Sequence, residues 1–567
     1  MLTRSRVWTI IALGVIVSLL LTACGAPAPQ VVREKVVETV VVEKEVVVEK
    51  EVVKEVPVEK EVIKEVIKEV PVEKVVVVTA TPVPVPGPTG EIVELSGIDP
   101  NTLDPYQMTT TNPESNIAVH IFDHLVWRTA DGEYVPMLAT SWEIVDDLTW
   151  EFKLRDDVYF HNGEHFTAET VKFSLERARD LEESIAVDTT PYDIFYESSE
   201  IIDDYTIRIH TEEPAPRMIH TLSDFEIMPL QYYTETPLEV AAENPVGSGP
   251  YEFVSWERDG PLVIEANEDY WGDVPAIKRI TVRAVPEAGA RIAELEAGTA
   301  DLITNVPPDQ TRLVETDLSR LEAVEGLRRI FMYIYCGDES KPWADKRVRQ
   351  AMNYAVDVDT IGETLFVGYA ERYNSWVVPP NDNPDLKPWP YYPQKAKDLL
   401  AEAGYPDGFD IKLHTPVGRY NKDKEAAQAI GAYLTEVGIR AEVIPMDWST
   451  YVQEMLVPRQ DLEIGLIGLS SAANDLEDAQ NLTKDWPLSI TDWYNEEYEA
   501  LYAEAATTLD DAHRQELLFE AQAIAYEECP WIWLWRQYDF YGVSKRLEWT
   551  ARADERIDFR NARLVGE

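Results

Sequence analysis

Residues 137–142 read M-L-A-T-S-W, and residues 152–177 read F-K-L-R-D-D-V-Y-F-H-N-G-E-H-F-T-A-E-T-V-K-F-S-L-E-R. Two periods meet in this stretch. Trp150, Phe152 and Leu154 fall on one side of an alternating run while Glu151, Lys153 and Arg155 fall on the other. That is the pattern of an amphipathic strand, closed by Asp156-Asp157. Thr167 then stands where an N-cap is expected, and Val171, Ser174, Leu175 and Ala178 follow at helical spacing. His161 and His165 flank Asn162-Gly163 and read as parts of a turn.

Working toward the C-terminus, Val348, Ala351, Met352 and Ala355 form a second helical stripe. Ala396, Leu399, Leu400 and Ala403 form a third, ended by Gly404 and Pro406. Ala427, Ile430, Leu434 and Val437 lead through Gly438 into the alternating strand Ile439, Ala441, Val443. Helix, glycine stop and strand in that order predict an α/β layer. About 475 residues follow the N-terminal region, more than one ordinary core accommodates, so two or three domains are expected.

Toward the N-terminus, Arg4 and Arg6 precede an uncharged run from Val7 to Leu21 that has the length of a signal-peptide core. It ends in L-T-A-C at 21–24, which resembles the lipobox of bacterial lipoproteins, so residues 1–23 are expected to be removed and Cys24 lipidated. Residues 24–90 read as a stalk. K-E-V-P-V-E-K occurs at 54–60 and again at 68–74, Pro57 and Pro71 interrupt any helix, and T-A-T-P-V-P-V-P-G-P closes the segment. Extended and coiled-coil forms both remain open. Extended, such a stalk reaches on the order of 200 Å.

The formal charge is −52, and the stalk balances its own charges, so the acidity lies on the globular part. That argues against nucleic-acid binding and suits a solubilising surface. Three cysteines exclude a disulfide scaffold. With Cys24 assigned, Cys336 and Cys529 are the one pair left to form a bridge. His120 and His124 have helical metal-ligand spacing, but no third ligand accompanies them. No cofactor is expected. The chain lacks G-x-S-x-G, a Walker loop and H-E-x-x-H, which leaves hydrolase or nucleotide chemistry without its usual context. N-P-V-G-S-G-P-Y at 244–251 reads as a tight bend placing a strand near the hinge, not as a phosphate cradle.

The stretch at 137–177 resembles the signature segment of the large extracellular solute-binding proteins of ABC importers, the family of oligopeptide, dipeptide, nickel and oligosaccharide binders. N-P-V-G-S-G-P-Y at 244–251, L-E-A-G-T-A-D-L at 295–302, V-R-Q-A-M-N-Y-A at 348–355 and A-K-D-L-L-A-E-A-G-Y-P-D-G-F at 396–409 match it in order. The resemblance implies a two-lobed Venus-flytrap of type II, α/β in class, that closes over its ligand. Lobe one is expected at 91–328 with an extra subdomain near 126–226, and lobe two at 329–530. The chain then returns to lobe one at 531–567.

It further implies a capture protein, with no chemistry of its own, that delivers an oligopeptide or similar polar solute to permease subunits from the outer face of the cytoplasmic membrane. An oligosaccharide ligand, or a receptor in place of a permease, is the alternative. The globular part is expected to be monomeric. In peptide-binding relatives a strand near 464–469 ends in Gly-Trp, and an aspartate just beyond binds the peptide ammonium. This chain has Gly468-Leu469, then Ser470-Ser471, with Asp475 displaced. Candidate ligand residues are therefore Leu469, Ser470, Ser471 and Asp475, with Tyr106, Thr110 and Asn112 after the first strand. Cys336 near the lobe crossing, Trp376 in N-S-W-V-V-P-P and Trp535 in W-I-W-L-W complete the set. In that last run, either alternating face suits the cleft.

Overall fold

The computed structural model describes residues 87–567, except 101, 108–111, 186–195, 259, 380, 449, 452–461, 470–474, 485, 487, 488, 490 and 567. The side chains of 112–114, 182–185, 475 and 477 are also outside the description. The export signal, Cys24 and the stalk up to Pro86 lie outside the described residues.

The opening stretch folds around its two periods. Thr149–Leu154 is a strand whose Trp150, Phe152 and Leu154 are buried, and Ala168–Ile185 is a helix burying Val171, Ser174, Leu175 and Ala178. Its start is closed differently from the expected Thr167 cap. The Thr170 hydroxyl donates to the Thr167 carbonyl at 2.7 Å and accepts from the Thr167 amide at 3.2 Å. The strand sits in a four-stranded antiparallel sheet ordered Ala139–Asp146, Thr149–Leu154, Thr206–Thr211, Tyr196–Asp203.

A second sheet of 11 strands runs through the rest of the described chain. Its order is Ile439–Met446, Phe409–Pro416, Ile464–Leu469, Ser319–Ile334, Trp531–Ser544, Leu302–Ile303, Thr89–Ser96, Ile277–Ala284, Leu262–Ala266, Tyr251–Trp256, with Ala370–Arg372 added to Trp531–Ser544. The parallel pair Phe409–Pro416 and Ile439–Met446 is joined by the helix Asp423–Glu436. Gly408 and Gly438 close that unit, both at positive φ, and a Cβ on Gly408 would lie 1.8 Å from the Gly438 carbonyl oxygen.

Apolar side chains collect in two halves. Ile92, Phe152, Ile280, Tyr541 and Val543 belong to one core, with Leu95, Ile303 and Phe540 on the opposite sheet face. Ile330, Met332, Val348, Ile430 and Ile532 build a core in the other half, with Phe331, Tyr333, Trp376 and Trp531 across the sheet from it. Two long antiparallel strands, Ser319–Ile334 and Trp531–Ser544, therefore belong to both halves.

Trp531 and Trp533 share one face, and Ile532 and Leu534 the other, but Trp535 joins Ile532 and Leu534. The pairing shifts there: Ile330 faces Trp535 and Phe331 faces Trp533, so Leu534 is the extra residue of a bulge. All three tryptophans are core. Tyr251–Trp256, which follows the bend at 244–251, is the outer edge of the sheet and far from the crossing strands, unlike the expected place near a hinge. The bend instead seats the end of the helix Asn112–Ile121. A Cβ on Gly247 would sit 2.0 Å from the Ile121 carbonyl oxygen, and the Gly249 amide donates to that oxygen at 2.8 Å. Among the described residues no helix is long and apolar enough to cross a membrane.

Candidate functional site

A cavity of about 510 Å³ lies between the two halves. From one side it is lined by Glu94 and Ser96 at the end of the strand Thr89–Ser96, by Asn116 and His120, and by Asp539, Tyr541 and Glu555. From the other side comes the loop 417–425 with Trp448. Its size suits a small peptide or a comparable ligand.

The loop is built on Asp423. That buried carboxylate accepts the amides of Arg419 at 2.9 Å, Tyr420 at 3.1 Å and Lys424 at 2.8 Å, while Lys422 takes φ 54° to start the helix. The Arg419 guanidinium is thereby held 5.1 Å over the Tyr420 ring and 5.3 Å over that of Trp448. Its Nε is buried, and among the described residues the guanidinium has no hydrogen-bond or ion-pair partner. Burial and the neighbouring Arg328 charge both lower its pKa.

Arg328 is different. It donates twice to Glu555, at 2.7 and 3.0 Å, and both side chains are buried. Arg291 donates to the carbonyls of Thr304, Val285, Pro286 and Asn305. His120 donates from Nδ1 to the Asn116 carbonyl at 2.7 Å and accepts the Phe559 amide on Nε2 at 3.1 Å. Burial holds it neutral, with a pKa lowered to about 4. Both of its nitrogens are taken by backbone, so its spacing with His124 serves packing.

Two carboxyls on the same wall lack such partners. Glu94 is 5% exposed, and burial pushes its pKa up to about 8. Asp539 accepts from Gln537 on Oδ1 at 3.0 Å, but its Oδ2 is buried without a partner. Burial, then the nearby Glu555 charge, raises its pKa well above the usual carboxylate range.

Among the described residues, side chains at and beside the cavity also join the halves. Lys422 pairs with Asp309 at 2.9 Å, Asn421 donates to the Tyr538 carbonyl at 3.4 Å, and Arg217 donates to Gln480 at 3.0 Å.

The residues expected at the site are placed as follows. Tyr106 is buried, its hydroxyl on the Glu226 carbonyl at 2.5 Å and Arg177 over its ring. Trp376 is buried edge-on to Tyr498, Cys336 lies at the margin of the same core, and Leu469 packs against it. Trp535 lies under Phe366 in the other core. None of these five lines the 510 Å³ cavity. Thr110, Ser470 and Ser471, and the side chains of Asn112 and Asp475, lie outside the described residues. Near Asp475, Asp478 is buried in an ion pair with Arg329. Cys336 and Cys529 are free thiols, donating to the carbonyls of Ile334 and Tyr526. Sequence reasoning passed over Glu94, Arg419 and Asp539. The one available signal was a charge at an apolar period, as in I-V-E-L-S and Y-D-F-Y.

Two α/β halves joined by strands common to both, with a lined cavity between them, define a two-lobed Venus-flytrap binding fold of type II. Residues 133–498 match the family described as bacterial extracellular solute-binding proteins, family 5 Middle, and the chain belongs to that family. Its members bind peptides or related solutes for ABC importers. The chain is 30% identical to heme-binding protein A of Haemophilus influenzae, over 76% of this chain and 84% of that protein. It is 28% identical to the glutathione-binding protein GsiB of Pectobacterium atrosepticum, over 79% and 88% respectively. It also resembles the structure of the periplasmic binding protein DppA from Helicobacter pylori in complex with the peptide STSA. There the TM-score is 0.73 and the identity 25%, covering 84% of this chain and 98% of that one.

Proposed function

We propose that this chain captures a short peptide, or a similar solute bearing a carboxylate, and hands it to ABC permease subunits without transforming it. The carrying observation is Arg419: a guanidinium placed in the cleft by the turn built on Asp423, with no hydrogen-bond or ion-pair partner among the described residues and only the more distant charges of Glu555 and Asp539 to oppose it. A half-buried guanidinium whose Nε lacks a partner is stabilised by an incoming anion, and a ligand carboxylate is the group that fits its planar fork. A neutral oligosaccharide would not offset that charge, and the two aromatic rings beside it are already stacked on Arg419 rather than free for sugar.

In this reading lobe one is 91–328 with the subdomain at 126–226, lobe two is 329–530, and 531–567 returns to lobe one. The Lys422–Asp309 and Arg217–Gln480 contacts form only when the lobes are shut. Cys24 carries a lipid anchor, and the globular part acts as a monomer. The matched peptide binder from Helicobacter pylori supports a peptide as ligand.

The test is thermal-shift screening against peptides with free and amidated C-termini, beside cello- and xylo-oligosaccharides. At 100 times its dissociation constant a ligand stabilises by about 2.7 kcal/mol. Arg419→Gln is expected to abolish the preference for the free carboxylate. Stabilisation by sugars with none by peptides refutes the proposal.

A further inference from the structure

Arg328 stands where one of the two crossing strands leaves its ladder. Glu325 faces Tyr538 and Arg329 faces Arg536, so Gly326, Leu327 and Arg328 stand opposite Gln537 alone. A bulge of this kind re-aims the side chains it carries. From there Arg328 reaches both halves. It donates twice to Glu555, in the half that buries Ile557 and Phe559, and its Nη1 donates to the Gly468 carbonyl at 3.4 Å, on the strand Ile464–Leu469 of the other half. The neighbouring Leu327 amide donates to the Ala553 carbonyl at 2.9 Å.

The Gly468 carbonyl accepts a second donor, the Tyr420 hydroxyl, at 3.3 Å. The missing side chain of Gly468 lets both donors approach. A Cβ there would lie 2.9 Å from Tyr420 Cε1, 3.1 Å from Arg328 Cδ and 2.7 Å from Ile330 Cδ1. Tyr420 is the residue after Arg419, and both guanidiniums lie over its ring, Arg328 at 5.8 Å and Arg419 at 5.1 Å. Contacts therefore run without a break from Glu555 through Arg328, the Gly468 carbonyl and Tyr420 to Arg419. The two like charges along this path differ in standing. Glu555 neutralises Arg328 through two hydrogen bonds, whereas Arg419 has no hydrogen-bond or ion-pair partner among the described residues. Arg419 lines the cavity and Arg328 does not.

We propose that Arg328 is a positioning residue for capture: through Gly468 and Tyr420 it sets the orientation in which Arg419 meets a ligand carboxylate. This deepens the capture function proposed above and rests on it. A guanidinium binds a carboxylate through a planar fork, so the strength of the contact depends on how the fork is aimed. A long side chain also loses rotamer freedom when it binds, and a ring fixed beneath it beforehand lowers that cost. Arg328 supplies the fixing from behind, as a supporting shell does for a binding group. Because the same guanidinium grips Glu555, which lines the opposite wall of the cavity, the ligand anchor on one half is set relative to the other half.

The experiment uses the full-length chain and two matched pools of tripeptides to pentapeptides, one with free and one with amidated C-termini, with affinities measured by titration calorimetry. Wild type is expected to prefer the free-carboxylate pool. Arg328→Lys keeps a charge opposite Glu555, but a single ammonium cannot replace the fork that serves Glu555 and Gly468 together. Tyr420→Phe keeps the ring beneath Arg419 and removes the hydroxyl that ties it to Gly468. Each variant is expected to bind the free-carboxylate pool about 3- to 30-fold more weakly while its affinity for the amidated pool changes less than about two-fold, the scale on which residues without ligand contact alter binding. A merely structural role would weaken both pools alike. Thermal melts show whether each variant unfolds cooperatively, and if Arg328→Lys does not, Tyr420→Phe decides. An unchanged ratio of the two affinities, or equal weakening toward both pools, overturns the positioning role and leaves the Arg419 reading standing as long as wild type prefers the free carboxylate. Equal binding of both pools by wild type refutes Arg419 as the carboxylate anchor, and the positioning role falls with it.

Discussion

Removing the Glu94 carboxylate should change how stability depends on pH. The carboxyl goes from 4.5 to about 8 when the chain folds. A raised carboxyl pKa means that the unfolded chain releases this proton first, so folding is penalised as pH rises above 4.5. The penalty grows by about 1.4 kcal/mol per pH unit. It reaches on the order of 3 kcal/mol at pH 7 and levels off above pH 8. Glutamine at position 94 keeps the shape and removes the ionisation. Urea midpoints of ligand-free wild type and Glu94→Gln between pH 4.5 and 9, converted at a common m-value, isolate this one group, because every other titration is common to both proteins. The gap should open in favour of Glu94→Gln with rising pH and then stay constant. Parallel profiles would mean that Glu94 is hydrated or paired in the folded protein.

Lys422→Ala removes the pair with Asp309, whose side chain is half exposed, so the pair is worth a fraction of a kcal/mol. Ligand affinity should fall less than about five-fold, with faster dissociation by stopped flow and a smaller effect at high salt. Gly247→Ala forces a Cβ into the Ile121 carbonyl and should cost ~3 kcal/mol or prevent folding. Gly289→Ala, with nothing near its added methyl, should be neutral or stabilising by about 0.5–1 kcal/mol in the same thermal melts. Cys24→Ala should bind ligand normally but leave the membrane fraction, and retention there would refute the lipid anchor.

Periodicity carried most of the fold because the elements at 150–178, 348–355, 396–403 and 427–443 bury what their own spacing says they bury. The long crossing strand shows where that logic stops. W-I-W-L-W alternates without fault, yet a bulge at Leu534 returns Trp535 to the face of its neighbour, and a bulge is decided by the partner strand rather than by local sequence. The site was hidden for a related reason. Glu94 and Asp539 are about 445 residues apart in sequence and come to one sheet face only through the register of three strands. Arg419 lies in a short turn whose meaning depends on the opposite lobe. Ser470, Ser471 and Asp475 drew attention through resemblance, whereas the charges that lack partners are elsewhere.

The placement of those charges bears on how capture is linked to closure. With the lobes apart, water solvates Arg419 on one wall and the two acids on the other, so neither wall carries the desolvation cost found in the shut form. Closure without ligand would bury all three, offset by their mutual attraction across the cavity and by the inter-lobe contacts of Lys422, Asn421 and Arg217. Under the proposed capture function, closure around a carboxylate-bearing ligand supplies Arg419 with a counter-charge at hydrogen-bond distance, where attraction is strongest because water has been expelled. A ligand recognised by Arg419 would therefore act on the open-to-shut equilibrium itself, and one lacking the carboxylate should leave the protein largely open.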